Sequence, residues 1–264
     1  MLAAVAQFAA TTDKSANLES AAGLIEQAAN QGAELAVLPE NAMYYNADAG
    51  ADIVADTEPV DGPFAVAVGE LAREHGIAVV AGMTEAPADG GGKPANTVLA
   101  IDKDGASLGV YRKVHLYDAF GYRESDRIAA HTPVPVTFSL AGLTLGVMTC
   151  YDLRFPEMAR FLVDAGAQAL ILPAAWAAGP AKEDHWTTLA RARAIENTTY
   201  VLASGQTGPA CVGQSAIIDP MGHVVASAGE APGVACGQIS LSRVEAVRAK
   251  NPSLANRRFT IAPG

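Results

Sequence analysis

Three residues of reactive type stand directly after apolar runs. Glu40 follows Leu35 to Leu38, Lys113 follows Ala106 to Tyr111, and Cys150 follows Leu143 to Met148. The third case is the most informative. Leu143 to Met148 is rich in β-formers and reads as a buried strand; beyond Cys150 the chain runs into Phe155-Pro156-Glu157, a helix start with proline in the first turn. α/β folds place reactive groups at such strand-to-helix turns. A thiol there faces a helix amino terminus, whose partial positive charge favours the nucleophilic thiolate. The same stretch also admits an inert thiol, buried as a small apolar side chain. Glu40 as a helix-start carboxylate and Lys113 as a strand-end surface charge have equally plain alternatives, since charged residues are mostly solvated. Each apolar run buries its own base, so all three side chains are expected to converge at one end of the sheets.

The elements that must position them follow from periodicity. Leu2 to Phe8 reads as a strand. After Thr11-Thr12-Asp13 a helical pattern puts Leu18, Ala22, Ile25 and Ala29 on one face, with Gly32 as the stop. Leu35 to Leu38 is a short buried strand, Phe64 to His75 a helix closed by Gly76, and Ile77 to Ala81 another strand. Then the rhythm changes. Thr97 to Ile101 and Ala106 to Tyr111 flank an Asp104-Gly105 turn, a hairpin signature, and a loop runs on through Arg127. Val134 to Leu140 and Leu143 to Met148 form a second hairpin that delivers Cys150. A helix from Pro156 to Ala165, a strand at Ala169 to Leu172, a helix from Lys182 to Asn197 and a strand at Tyr200 to Ala203 come next. Ser215 to Ile218 and His223 to Ser227 flank the turn Asp219-Pro220-Met221-Gly222; Val234 to Ile239 closes that sheet, and Arg243 to Lys250 is helical. No linker or composition break divides residues 1–264, which read as one α/β domain of two packed sheets with helices outside.

Composition narrows the function classes. Half of the 264 residues are hydrophobic and 17% are charged, a globular balance. No apolar run reaches the length of about 18 residues that a membrane span needs, and Met1 to Phe8 lacks the basic start of a signal peptide. Cys150, Cys211 and Cys236 lie far apart, which argues against a disulfide framework or a zinc site and fits the cytoplasm. A net charge of −10 disfavours nucleic acid as a partner. Gly90-Gly91-Gly92 sits among polar residues and reads as a loop, not a phosphate cradle.

Longer segments around the three residues carry a resemblance. Leu38-Pro39-Glu40-Asn41, Tyr111-Arg112-Lys113-Val114-His115-Leu116 and Thr149-Cys150-Tyr151-Asp152-Leu153-Arg154-Phe155-Pro156-Glu157 resemble the three signature segments of the nitrilase superfamily of carbon–nitrogen hydrolases. Arg191 to Asn197 and Gly213 to Gly222 are similar to further family segments, so the match spans nearly the whole chain in order. The resemblance implies a four-layer α-β-β-α sandwich and a Glu-Lys-Cys triad that hydrolyses amides or nitriles without metal or organic cofactor. In that scheme Cys150 attacks the amide carbon and forms a thioester, which splits one hard step into two easier ones. Glu40 serves as general base and acid, its pKa expected to be raised by burial. Lys113 stabilises the oxyanion beside the backbone N–H of Tyr151, a contribution of about 3 kcal/mol per donor. Glu124 matches a fourth active-site position that orients Lys113 and the substrate amide. His115 is expected to be structural, Arg191, Arg193, Glu196 and Asn197 a charge network on one helix, and Cys211 and Cys236 bystanders. Trp176 matches a pocket-wall position, with core or dimer packing as its alternative.

Two rival readings remain. A thiol enzyme with a histidine base is not excluded by the five histidines (His75, His115, His131, His185, His223), although the Gly-x-Cys-x-Gly elbow of glutamine amidotransferases is missing around Cys150. A non-catalytic scaffold on the same fold has no need of Glu40, Lys113 and Cys150 together. Within the superfamily, Cys150 to Glu157 is similar to the branch that holds ω-amidases and deaminated-glutathione amidases; nitrilases and N-carbamoyl amino acid hydrolases fit less well. Arg154 matches a position that can hold a substrate carboxylate, but Asp152 and Glu157 are so near in sequence that a salt bridge is the expected outcome. With Tyr151 and Trp176 closing the pocket, short aliphatic amides are the first expectation and ω-amides of dicarboxylic acids the second. Phe155, Met158, Phe161 and Leu162 give the helix after Cys150 more apolar surface than one sheet face covers, which predicts a homodimer or larger homo-oligomer.

Overall fold

Alternation inside the first strand sets the layering. In the computed structural model, which describes residues 1–48, 50–87 and 90–262, Leu2–Gln7 forms β1. Ala3 and Val5 point into one buried core, Ala4 and Ala6 into another, as a strand's two-residue period requires. The first core lies between two six-stranded sheets and continues under the outer helices of the second sheet. The other lies beneath the helices that cover the first sheet. The result is the expected α/β sandwich with helices on both outer faces.

In chain order, β1 is followed by α1 (Lys14–Asn30), β2 (Leu35–Val37), α2 (Pro63–His75), β3 (Ala78–Glu85), β4 (Ala95–Ile101) and β5 (Ser107–Arg112). A small hairpin of β6 (Asp118–Ala119) and β7 (Tyr122–Arg123) lies where an open loop was expected. Then come β8 (Thr137–Leu140), β9 (Leu143–Val147), α3 (Pro156–Asp164), β10 (Ala169–Ala174), α4 (Lys182–Asn197), β11 (Tyr200–Gly205), β12 (Ala216–Ile218), β13 (Val224–Ser227), β14 (Gly233–Gln238) and α5 (Leu241–Lys250). The first sheet runs β14-β1-β2-β3-β4-β5 and the second β13-β12-β11-β10-β9-β8. β14 therefore does not close the sheet of its sequence neighbours. It crosses to pair antiparallel with β1, Val5 opposite Ala235, and ties the two sheets together.

Local signals explain most boundaries. Asp13 caps α1 by accepting from the N–H groups of Ser15 and Ala16. α2 opens on Pro63 and stops at Gly76, whose φ of 63° suits glycine. The buried face of α1 is Asn17, Ala21, Ile25 and Ala28, so the expected face of Leu18, Ala22, Ile25 and Ala29 is rotated by about one residue. Asn17 causes this. Its side chain accepts from Thr11 N (2.8 Å) and donates to the carbonyls of Thr11 and Met43 (2.8 and 3.0 Å), bonds that periodicity cannot foresee. On α3, Met158 and Leu162 are buried within the chain, Phe155 stacks on His115 at 3.8 Å, and Phe161 is half-buried. The chain itself covers most of the apolar surface from which pairing was argued.

Candidate active site

Both sheets deliver their reactive residues at strand ends facing one cavity. Glu40 follows β2 in a turn that crosses tightly over β3. A Cβ on Gly82 would lie 2.6 Å from Asn41 N and 2.7 Å from the Glu40 Cα, so only glycine allows this approach. From the opposite sheet, Gln206 donates to the Glu40 carbonyl at 2.8 Å. Asn41 and Cys150 both have left-handed backbone, with φ of 56° and 46°. For residues other than glycine that conformation costs on the order of 1–3 kcal/mol and persists where the surroundings enforce it.

Cys150 opens a short 3₁₀ turn, Cys150–Arg154, that precedes α3, so it does not sit on the α3 terminus as expected. Asp152, fully buried, holds the turn. It accepts from Thr149 N (2.8 Å) and from the Tyr111 hydroxyl (2.6 Å), and pairs with His115 Nδ1 (2.7 Å). Tyr111 and His115 flank Lys113, so one carboxylate fastens the lysine segment to the cysteine turn. Arg193 on α4 donates to the Leu153 carbonyl (3.0 Å) and pairs with Glu196 (2.8 Å), which makes the helix network a support for the same turn.

Glu40, Lys113, Glu124 and Cys150 are brought together, each 7% exposed or less. Lys113 Nζ lies 2.8 Å from Glu40 Oε1 and 2.9 Å from Glu124 Oε2. Asn96, which the sequence did not single out, donates one amide group to both carboxylates, at 2.8 Å to Glu40 and 3.2 Å to Glu124. Glu40 Oε2 accepts from Ala175 N (2.7 Å), and Glu124 Oε2 from Tyr117 N (2.6 Å). The Cys150 thiol opens on the same cavity, where the charges of Glu40 and Lys113 both act on it.

These contacts reverse two electrostatic expectations. Burial alone raises the Glu40 pKa, but the Lys113 ammonium and the hydrogen bonds from Lys113 and Ala175 outweigh it, and the carboxyl is held below its usual value. Burial, with the Glu40 carboxylate beside it, pushes the Cys150 thiol well up despite Lys113. For Lys113, desolvation opposes the charge but Glu124 and Glu40 dominate and raise its pKa well above the ordinary lysine value. Two carboxylates against one ammonium leave net negative charge, which disfavours a thiolate. The resting site is therefore thiol, carboxylate and ammonium.

The cavity above them has a volume of about 590 Å³ and is lined by Tyr117, Phe120, Tyr151, Arg154, Trp176 and Lys182 along its outer wall. All three expected pocket residues, Tyr151, Arg154 and Trp176, reach it. Trp176 serves as both wall and core: it is 4% exposed and its indole N–H donates to the Lys182 carbonyl at 3.0 Å. Arg154 makes neither of the expected salt bridges. Asp152 is committed to His115 and Tyr111, and Glu157 is exposed. The guanidinium lies instead over the Trp176 ring (4.7 Å) and near His185 Nδ1 (3.4 Å), and its Nε is buried without a hydrogen-bond partner among the described residues. Lys182, which the sequence marks only as a helix start, lines the same cavity. Among the described residues no group of three or more His, Cys, Asp or Glu stands close enough to hold a metal ion, and no helix is long and apolar enough to cross a membrane.

Comparison with known proteins places this arrangement. Residues 2–249 match the carbon–nitrogen hydrolase family. The deaminated glutathione amidase of Escherichia coli O157:H7 is 41% identical over 261 residues, 98% of each chain. The Caenorhabditis elegans NitFhit protein superposes with a TM-score of 0.86 at 32% identity, covering 98% of this chain and 66% of that one. The amidase of Nesterenkonia sp. AN1 superposes at 0.83 with 27% identity over 98% of this chain and 94% of that one; there, a glutamate-to-glutamine variant carries the acetamide moiety of fluoroacetamide on its active-site cysteine. The chain thus belongs to the carbon–nitrogen hydrolase family of the nitrilase superfamily, enzymes that hydrolyse carbon–nitrogen bonds.

Proposed function

We propose that the protein is a thiol amidase whose substrate is the ω-amide of an acyl group ending in a carboxylate. The reaction follows from the resting charges. Cys150 Sγ attacks the amide carbon while its proton passes to Glu40, so that a free thiolate need not form. The oxyanion that develops faces the Lys113 ammonium and the N–H of Tyr151 at the start of the 3₁₀ turn. The C–N bond breaks as Glu40 returns the proton to nitrogen, and the amine or ammonia leaves. Water then attacks the thioester with Glu40 again as base, which releases the acid and restores the thiol. Glu124 and Asn96 keep Lys113 and Glu40 in place.

One observation carries the choice of acyl group: the Arg154 guanidinium lines the cavity with no carboxylate partner among the described residues. A guanidinium held this way suits a substrate carboxylate. The deaminated glutathione amidases of Escherichia coli, Synechocystis and human, at 41%, 38% and 35% identity, support the same reading. Short aliphatic amides, the first expectation, become the second reading; the aromatic wall favours them, and an amidase at 26% identity has been seen with acrylamide bound. The test compares kcat/KM for glutaramate and pentanamide, which differ by a carboxylate in place of a methyl group. Preference for glutaramate, lost by about 10²-fold in Arg154→Gln while pentanamide turnover holds, supports the reading; preference for pentanamide overturns it. A homodimer working in the cytoplasm completes the proposal; it rests on the family resemblance and the half-buried Phe161, and light scattering that returned the 27.1 kDa of one chain would reject the dimer.

A further inference from the structure

Lys182 takes no part in the reaction above, yet it is built firmly into the cavity wall. It is the first residue of α4 and 7% exposed. Its backbone carbonyl receives the Trp176 indole N–H, so lysine and wall move as one. Its Nζ lies 3.4 Å from the centre of the Phe120 ring and 3.0 Å from the Tyr117 hydroxyl oxygen. Arg154 lies over the same Phe120 ring at 5.5 Å, so two cations border one aromatic ring. Neither pairs with a carboxylate among the described residues, and the two acids next on the helix, Glu183 and Asp184, are exposed. Burial, and then Arg154, lower the Lys182 pKa, as expected for a cation held without a counter-ion. In a chain of net charge −10, such a pair on a cavity wall calls for an anion from outside.

We propose that Lys182 is a specificity-determining residue which, with Arg154, makes the far end of the cavity reject substrates that carry a cationic amino group beside their carboxylate. This rests on the ω-amide reading. With the carboxylate on Arg154, a group on the adjoining carbon comes within reach of Lys182, because the two cations border the Phe120 ring at 5.5 and 3.4 Å from its centre. An oxo oxygen there accepts from the ammonium, and from Tyr117, whose O–H is free to donate while its oxygen accepts from Lys182. An ammonium group brings a like charge and only donors to a wall of donors. Specificity is then built as much on repulsion as on attraction. The pair separates deaminated ω-amides from amino acids with the same chain, a distinction that the names of the 35–41% identical relatives also draw.

The test measures kcat/KM for 2-oxoglutaramate, glutaramate and L-glutamine with the wild-type protein and Lys182→Gln, Lys182→Met and Lys182→Arg. The expected wild-type order is 2-oxoglutaramate, then glutaramate, with glutamine far behind. Both neutral variants should narrow the glutaramate-to-glutamine ratio by about tenfold or more, equivalent to ~1.4 kcal/mol, while Lys182→Arg keeps it. An unchanged ratio in the neutral variants overturns the proposal. If those variants fail to fold, competitive inhibition of the wild type decides: glutarate should bind at least about tenfold more tightly than L-glutamate, and equal binding overturns the inference. A wild type that prefers pentanamide to glutaramate defeats the ω-amide reading itself. One that prefers glutaramate with a ratio insensitive to Lys182 defeats only this inference.

Discussion

The two ends of the cavity treat charge in opposite ways. At the inner end Lys113 is pinned between Glu40 and Glu124, and Asn96 bridges the same two carboxylates. At the outer end Arg154 and Lys182 rest on aromatic faces, a tyrosine hydroxyl and a histidine. The inner end pairs its own charges, so its chemistry is preset before any substrate arrives. The outer end has no counter-charge among the described residues. Reactivity and selectivity therefore reside in different charges, and each can be removed separately.

Removing the nucleophile should have the largest effect. Cys150→Ala is expected to lower amide turnover by at least about 10⁴-fold with the fold intact; ammonia release above background from the purified variant would contradict this. The outer end bears on selectivity alone, and Arg154→Gln should cost about 10²-fold on glutaramate and little on pentanamide.

A third way to sharpen the contrast is pH. Activity needs Glu40 ionised and the thiol protonated; the first pKa is lowered and the second raised, so the two limbs are pushed apart. With pentanamide, whose charge does not change, kcat/KM should be flat from about pH 5 to about pH 9. An acid limb near the ordinary histidine value of about 6.5 would instead point to a histidine base. The same lowered Glu40 pKa means that its contribution to stability is present above the unfolded value and is lost as pH falls through the folded one.

The smallest expected effect lies outside both ends. Asp152→Asn removes the acceptor that binds Tyr111, Thr149 and His115, and should cost about 1–3 kcal/mol, read as a lower urea midpoint at unchanged slope. An unshifted midpoint would show that the turn is held by other means.

How much of this the sequence revealed depends on the range of the interaction. Glu40, Lys113 and Cys150 were legible because apolar runs end at each of them. Asn96 was not, since an asparagine inside a strand gains meaning only when residues 40 and 124 are known to lie beside it. The misjudged Glu40 pKa has this origin: burial can be read from a strand, but the 2.8 Å between Lys113 and Glu40 cannot. For Cys150 the helix terminus was weighed above burial and the Glu40 carboxylate, which together raise the thiol pKa. Arg154 shows the reverse error. Two acids near it in sequence suggested a salt bridge, yet Asp152 turns to residues 111, 115 and 149. The return of β14 to β1 escaped for a similar reason, because a strand's pattern says that it is buried but not in which sheet.

On the proposed route Cys150 carries the acyl group of a carboxylate-ended amide while Glu40 drives its release. Glu40→Gln keeps the shape of the base but cannot take a proton. Treated with an activated monoester of glutaric acid, that variant should gain the mass of one glutaryl group in the intact-protein spectrum, located on Cys150 by peptide fragmentation. An adduct on another residue, or none while wild-type protein turns the ester over, would contradict the account.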